Sequence, residues 1–160
     1  FARNTGASLS PFNAWVLSKS LETLAVRVDR HCDNAFTIAE KLEVSQNINW
    51  VKYPFLKSHP QYALAKKQML KGGNIIAFEL IGGLEAGQNF INAIELCSLS
   101  SNLGDSRTII THPASTTHSK LSKEDRMAVG ITDGMIRLSI GLEHPEDIWN
   151  DLKNALSKIG

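Results

Sequence analysis

The apolar residues Leu17, Leu21, Leu24, Val28, Cys32, Ala35, Ala39 and Leu42 recur at steps of three and four along the chain. On a helix of 3.6 residues per turn that spacing draws one continuous stripe down one side. Ser10-Pro11 opens the stretch. A serine hydroxyl can cap the orphan amides of a first turn, and proline fits the first helical position. The spacing predicts a helix of unusual length, the kind that bridges two bodies, and is compatible with a bend inside it. We divide the chain accordingly: 1–43 is an irregular start followed by a long interdomain helix, and 44–160 is a small C-terminal domain.

Beyond the stripe the elements are shorter and mixed. Residues 50–53 read as a strand ended by Pro54, and 60–68 as a helix closed by Gly72-Gly73. Residues 74–80 are β-like, with Ile76, Phe78 and Leu80 on one face, until Gly82-Gly83 stops them. A helix is expected over 84–94 through Phe90, Ile91 and Ile94. Two short strands, 97–103 and 108–112, flank a Gly104-Asp105 turn. Ser122 caps a short helix with Glu124 and Asp125 in its first turn, and Gly130 ends it. Over 135–140 the pattern alternates: Ile136, Leu138 and Ile140 face one way, and Met135, Arg137 and Ser139 the other. A last helix starts at Pro145, with Glu146 and Asp147 in its first turn and a stripe of Ile148, Leu152, Leu156 and Ile159. Short strands separated by helical segments predict an α/β chain with an α+β small domain, its small sheet covered on one face by helices.

Composition narrows the function classes. A formal net charge of +1 over 160 residues carries no electrostatic footprint for nucleic acid or a membrane surface. Nor does any apolar run reach bilayer length. Cys32 and Cys97 lie far apart, outside any C-x-x-C spacing, and read as two buried free thiols in a reducing, cytoplasmic setting. His112 and His118 are six residues apart with no acidic cluster beside them, so no metal site is expected. Neither Ser119 nor Ser122 sits in a G-x-S-x-G elbow. The chain begins with Phe1 rather than methionine, so we expect it to lack its beginning and any site that draws on earlier residues to be incomplete.

Two features could carry chemistry. Arg137 lies mid-strand, opposite three aliphatic residues, where a planar guanidinium can pair bidentately with a carboxylate; the plain alternative is an arginine on a solvated sheet face. Residues 98–118, SLSSNLGDSRTIITHPASTTH, are dense in hydroxyls and turn formers that can present amides and short polar side chains to a ligand, although turns are made of the same residues.

Three stretches together resemble the trans-sulfuration, or Cys/Met metabolism, family of pyridoxal-phosphate enzymes. GASLSPFNAWVLSKSLETLAVRVDRH (6–31) resembles the family's helix leading from the large to the small domain. NLGD followed by THPASTTH lies within 101–118, and GMIRLSIGLE (134–143) resembles the strand bearing the substrate-carboxylate arginine. They are collinear over nearly the whole chain. LSPFNAW and NLGD-x-(R/K)-T look most like the homoserine-ester sulfhydrylases. The lyase branches more often carry Ser where Asn102 stands.

The resemblance implies the C-terminal domain of the aspartate-aminotransferase-like type I fold, in a homotetramer. It implies γ-replacement, in which the acyl group of O-succinyl- or O-acetylhomoserine gives way to sulfide or another thiol while the cofactor acts as an electron sink. Arg137 would hold the substrate α-carboxylate, Asn102 would help orient it, and Thr117 would lie near cofactor and substrate. The Schiff-base lysine, phosphate loop and stacking aromatic belong to the family's upstream large domain. Lys120 is a superficial match in the wrong region. The chain alone is therefore expected to hold neither pyridoxal phosphate nor activity. Alternatives are a piece of a methionine γ-lyase, cystathionine γ-synthase or cystathionine γ-lyase, a free-standing module for small carboxylates, and a structural domain for subunit contact.

Overall fold

The computed structural model of the chain describes residue 6 and residues 8–159, so the irregular opening expected over 1–9 lies largely outside the described residues. Ser10 caps α1 (Pro11–Glu22): its hydroxyl accepts the Asn13 amide at 3.2 Å. Helix α2 (Leu24–Glu43) comes after a break at Thr23. The stripe is continuous in sequence, but the helix is not. Ser20 Oγ donates back to the Val16 carbonyl at 2.8 Å, and the Ser20 carbonyl accepts from Arg27 Nη2 at 2.6 Å. Side chains here take acceptors that the helical ladder uses, a recurrent cause of helix bending.

The two helices also differ in cover. Helix α1 has no buried residue, whereas α2 buries His31, Cys32, Asn34, Ala35, Ile38, Ala39 and Leu42. The covered half of the stripe shares a core with the rest of the chain: β1 (Ile48–Lys52), α3 (Tyr62–Gln68), β2 (Ile75–Leu80), α4 (Gly83–Asn92), β3 (Ser98–Leu99), β4 (Ile109–Thr111), α5 (Lys123–Ala128), β5 (Met135–Ser139) and α6 (Pro145–Leu156).

The strands make one sheet in the order β1-β2-β5-β4-β3, antiparallel throughout except for the parallel β3–β4 pair. Register puts Ile76 beside Leu138, Phe78 beside Ile136 and Ile110 beside Leu138. These residues, with Leu80 and Ile140, pack against Ala35, Ile38 and Leu42 of α2, Ala86 and Phe90 of α4, and Ile148 and Leu152 of α6. Burying each large aliphatic side chain contributes about 1.5–3 kcal/mol. The sheet is therefore antiparallel-rich and helix-covered on one face, as the alternation in β2 and β5 requires.

Two later elements differ from expectation as well. The strand expected over 97–103 shortens to Ser98–Leu99, and Pro113–Ser115 forms a 3-10 turn within the turn-rich 98–118 stretch, where no helical element was expected. After Ser100 the chain leaves the sheet edge, because its carbonyls find side-chain donors on the sheet face instead.

Candidate carboxylate site

The face of the sheet opposite the helices holds two cross-strand rows. Ala77, Arg137 and Thr111 stand in register, and Ile75, Ser139 and Ile109 form the next row. Residues 100–104 cross these rows as a strap, tied at three places. Thr111 Oγ1 donates to the Ser100 carbonyl. Arg137 Nη2 donates to the carbonyls of Ser101 at 2.8 Å and Asn102 at 3.2 Å. Ser139 Oγ accepts the Gly104 amide at 2.8 Å. Gly104 has φ +80°, a conformation that glycine adopts without strain.

Half-buried Arg137 spends only one end of its fork on this strap. Nε and Nη1 have no hydrogen-bond partner, and no carboxylate pairs with the guanidinium, among the described residues. A partly buried cation that lacks a counter-ion is costly, and an incoming carboxylate relieves that cost.

The other expected site residues divide. Asn102 meets Arg137 through its carbonyl; its side chain is exposed and makes no hydrogen bond among the described residues. Thr117 is also exposed, and its hydroxyl lies 2.8 Å from His118 Nδ1, with no bond to Arg137 or Asn102. The structure thus brings two of the three together.

Residues that the sequence pattern did not single out hold this framework. Asp151 of α6 accepts three successive amides, from Glu95, Leu96 and Cys97, at 2.8–3.0 Å, and so anchors the approach to β3. Glu143 accepts both the amide and the hydroxyl of Thr108. From α2, Asn34 Nδ2 donates to the carbonyls of Gly141 and Glu143, and His31 Nδ1 lies 2.7 Å from the Ile140 carbonyl. His112 is fully buried with both ring nitrogens engaged, Nδ1 to Ser115 Oγ and Nε2 to the Asp133 carbonyl, each at 2.8 Å. Burial pushes its pKa below the ordinary histidine value, outweighing the bond to that carbonyl and the Asp133 charge, which act to raise it. A Cβ on Gly87 would collide with the ring, so this glycine leaves room for it. The strap itself lies in the hydroxyl-rich 98–118 stretch, and Ser139 showed in its place on the Arg137 face of the alternating strand, whereas Asp151, Glu143 and Asn34 carried no signal in the pattern.

The described residues do not make a pyridoxal-phosphate pocket. A Schiff-base lysine must be neutral and sheltered. No described lysine is buried, and Lys120 is exposed. Lys123 borders a cleft of about 570 Å³ but is ion-paired to Asp133 at 2.8 Å. Both thiols are buried and pushed upward by burial, which disfavours a thiolate at either. Among the described residues no three His, Cys, Asp or Glu side chains cluster as metal ligands, and no helix is long and apolar enough to cross a membrane.

Comparison with known proteins adds a second line of observation. The profile of the Cys/Met metabolism PLP-dependent enzyme family matches residues 1–157. The L-methionine gamma-lyase of Porphyromonas gingivalis is 50% identical over 155 residues, covering 97% of this chain and 39% of that protein. The O-succinylhomoserine sulfhydrylase of Mycobacterium tuberculosis is 45% identical over 159 residues, with the same coverage. Among solved structures, one described as an O-acetylhomoserine (thiol)-lyase from Campylobacter jejuni, containing a pyridoxyl-lysine monophosphate, superposes with a TM-score of 0.88. It is 44% identical, with coverage of 97% of this chain and 37% of that one. The chain thus spans about two fifths of the length of these relatives.

Proposed function

The chain belongs to the Cys/Met metabolism family of PLP-dependent enzymes, and we propose that it is the substrate-carboxylate part of a homoserine-ester sulfhydrylase. The longer protein would replace the acyl group of O-succinyl- or O-acetylhomoserine with sulfide. The observation that carries the reading is Arg137: half-buried, without a counter-ion among the described residues, held at Nη2 and open at Nε and Nη1. A fork so held suits the α-carboxylate of an amino acid.

In this reading each residue of the chain has a limited task. Arg137 binds the carboxylate and fixes its plane. The exposed amide of Asn102 closes over a carboxylate oxygen once substrate arrives. Thr117, which the fold leaves apart from Arg137 and Asn102, would lie near cofactor and substrate in the longer protein. The described residues do not hold the cofactor, so the chemistry at Cα and beyond is assigned to residues outside them. The exposed apolar residues of α1, Phe12, Trp15, Leu17 and Leu21, are assigned to packing against that further part of the protein.

A second reading, methionine γ-lyase, has the higher overall identity in its favour. The sulfhydrylase reading instead rests on LSPFNAW and on Asn102 with its Gly104-Asp105 turn. One experiment separates them. The longer protein is assayed with O-succinyl- and O-acetylhomoserine plus sulfide, and separately with methionine alone. Homocysteine formation with little thiol release from methionine supports replacement. Efficient thiol and keto-acid release from methionine overturns it.

A further inference from the structure

We infer that Ser139 is a positioning residue for carboxylate binding, acting through the strap and Arg137; this rests on the assignment of Arg137 to the substrate carboxylate. Ser139 is 1% exposed although it lies on the sheet face away from the helices, because the strap covers it. Its hydroxyl accepts two bonds, from the Gly104 amide at 2.8 Å and from Asn74 Nδ2 at 3.2 Å. Those occupy both lone pairs of the oxygen.

The geometry gives this hydroxyl a consequence beyond its own bonds. Arg137 and Ser139 are two residues apart on one strand, so their side chains rise from the same face. The strap runs between them as a short bridge. Its Gly104 end is pinned by Ser139, and its carbonyls at 101 and 102 orient Arg137 Nη2. Without the pin at Gly104, the nearest ties of the strap to the sheet among the described residues are at Ser100, by Thr111 Oγ1 and by the backbone bond from the Ser100 amide to the Ile110 carbonyl, and at Ser106, whose carbonyl accepts the Leu142 amide at 2.8 Å. The guanidinium then loses its fixed plane while keeping its charge. Bidentate recognition depends on that plane. Asn74 steadies the pin from the other side, since its carbonyl also accepts the Ile140 amide at 2.9 Å.

The test uses the longer protein with Ser139→Ala, Ser139→Thr, Arg137→Leu and the double variant. Loss of one neutral hydrogen bond corresponds to about a five- to tenfold effect. Ser139→Ala should raise KM for α-amino-acid substrates by that factor with kcat little changed. It should also weaken the preference for the α-carboxylate over the α-carboxamide of the same substrate. Ser139→Thr, which keeps the acceptor, should restore both. In the Arg137→Leu background, Ser139→Ala should add nothing. Hydrogen exchange supplies a readout independent of turnover: the Gly104 amide is slow in the parent and in Arg137→Leu, and fast in Ser139→Ala. If Arg137→Leu itself binds substrate normally, the carboxylate reading fails. If Arg137→Leu is impaired but Ser139→Ala keeps both its carboxylate preference and its Gly104 protection, the positioning role alone fails. A Ser139→Ala variant that lowers kcat and carboxamide turnover as much as carboxylate turnover also overturns it.

Discussion

The same strands serve two faces, and the faces ask different things of a side chain. Toward the helices, Ile76, Phe78, Ile136, Leu138 and Ile140 are fully buried and their side chains pack into the apolar core, so their shape and volume matter. Away from the helices, Ala77, Thr111, Arg137 and Ser139 carry or neighbour polar groups aimed at one short strap. Leu138 and Arg137 are adjacent in sequence yet belong to different problems. The first specifies the fold. The second is a charge that the fold does not need and whose fork is left partly open.

That contrast breaks most sharply on neighbouring substitutions. Leu138→Ala should destabilise the protein by about 2–5 kcal/mol, read by urea or thermal unfolding, since it empties a fully buried site. Arg137→Leu should leave unfolding within about 1 kcal/mol of the parent, while costing about 2–5 kcal/mol in kcat/KM of the longer enzyme. Arg137→Lys keeps the charge without the fork and should recover only part of that loss. An Arg137→Leu protein that is as unstable as Leu138→Ala would mean that the polar face is structural as well.

The inner face was legible in the sequence because alternation is a local property. Ile136, Leu138 and Ile140 announce their common side without reference to any other strand. Arg137 could be singled out for the same reason, by standing opposite them. The bonds that tie down the strap could not. Thr111 and Ser139 are far from Ser100 and Gly104 in sequence, and the bonds between them depend on β4 lying beside β5. The break at Thr23 was equally hidden, since an apolar stripe reports a face and not the continuity of the ladder beneath it. Asp151 reads as an ordinary polar position of an amphipathic helix, and only the fold places three amides against it.

Asp151 sharpens the comparison from the helix side, since it reaches across the core edge to the chain that becomes the strap. Asp151→Asn keeps the size but replaces one acceptor oxygen with a donor. Hydrogen bonds to a charged group contribute about 1.5–3 kcal/mol, so a loss of that order is expected in unfolding measurements. A smaller secondary rise in KM should accompany it as β3 loosens. A stability loss with unchanged exchange rates at 98–104 would separate this anchor from the strap.

The smallest expected effect concerns pH and the buried ring of His112. Its pKa lies below the ordinary value of 6.5, chiefly because burial disfavours the imidazolium. The charges around it are Asp133, which raises the value, and Arg126, which lowers it. Below pH 6.5 the unfolded chain takes up a proton that the folded chain refuses, so stability falls as pH falls. The loss continues until the pH reaches the depressed folded value, and its slope for one proton is at most about 1.4 kcal/mol per pH unit. Well above pH 6.5 the ring is neutral in both states and adds no slope. His112→Gln keeps a donor for the Asp133 carbonyl but does not titrate. Urea unfolding of parent and variant at pH 7.5, 6.5 and 5.5 therefore tests the assignment, with the three pH values chosen to bracket the ordinary histidine pKa. The variant's stability relative to the parent should improve between pH 6.5 and 5.5 and change several-fold less between pH 7.5 and 6.5. Curves that remain parallel over the whole range would assign the acid sensitivity to other groups and leave His112 as a packing residue beside Gly87.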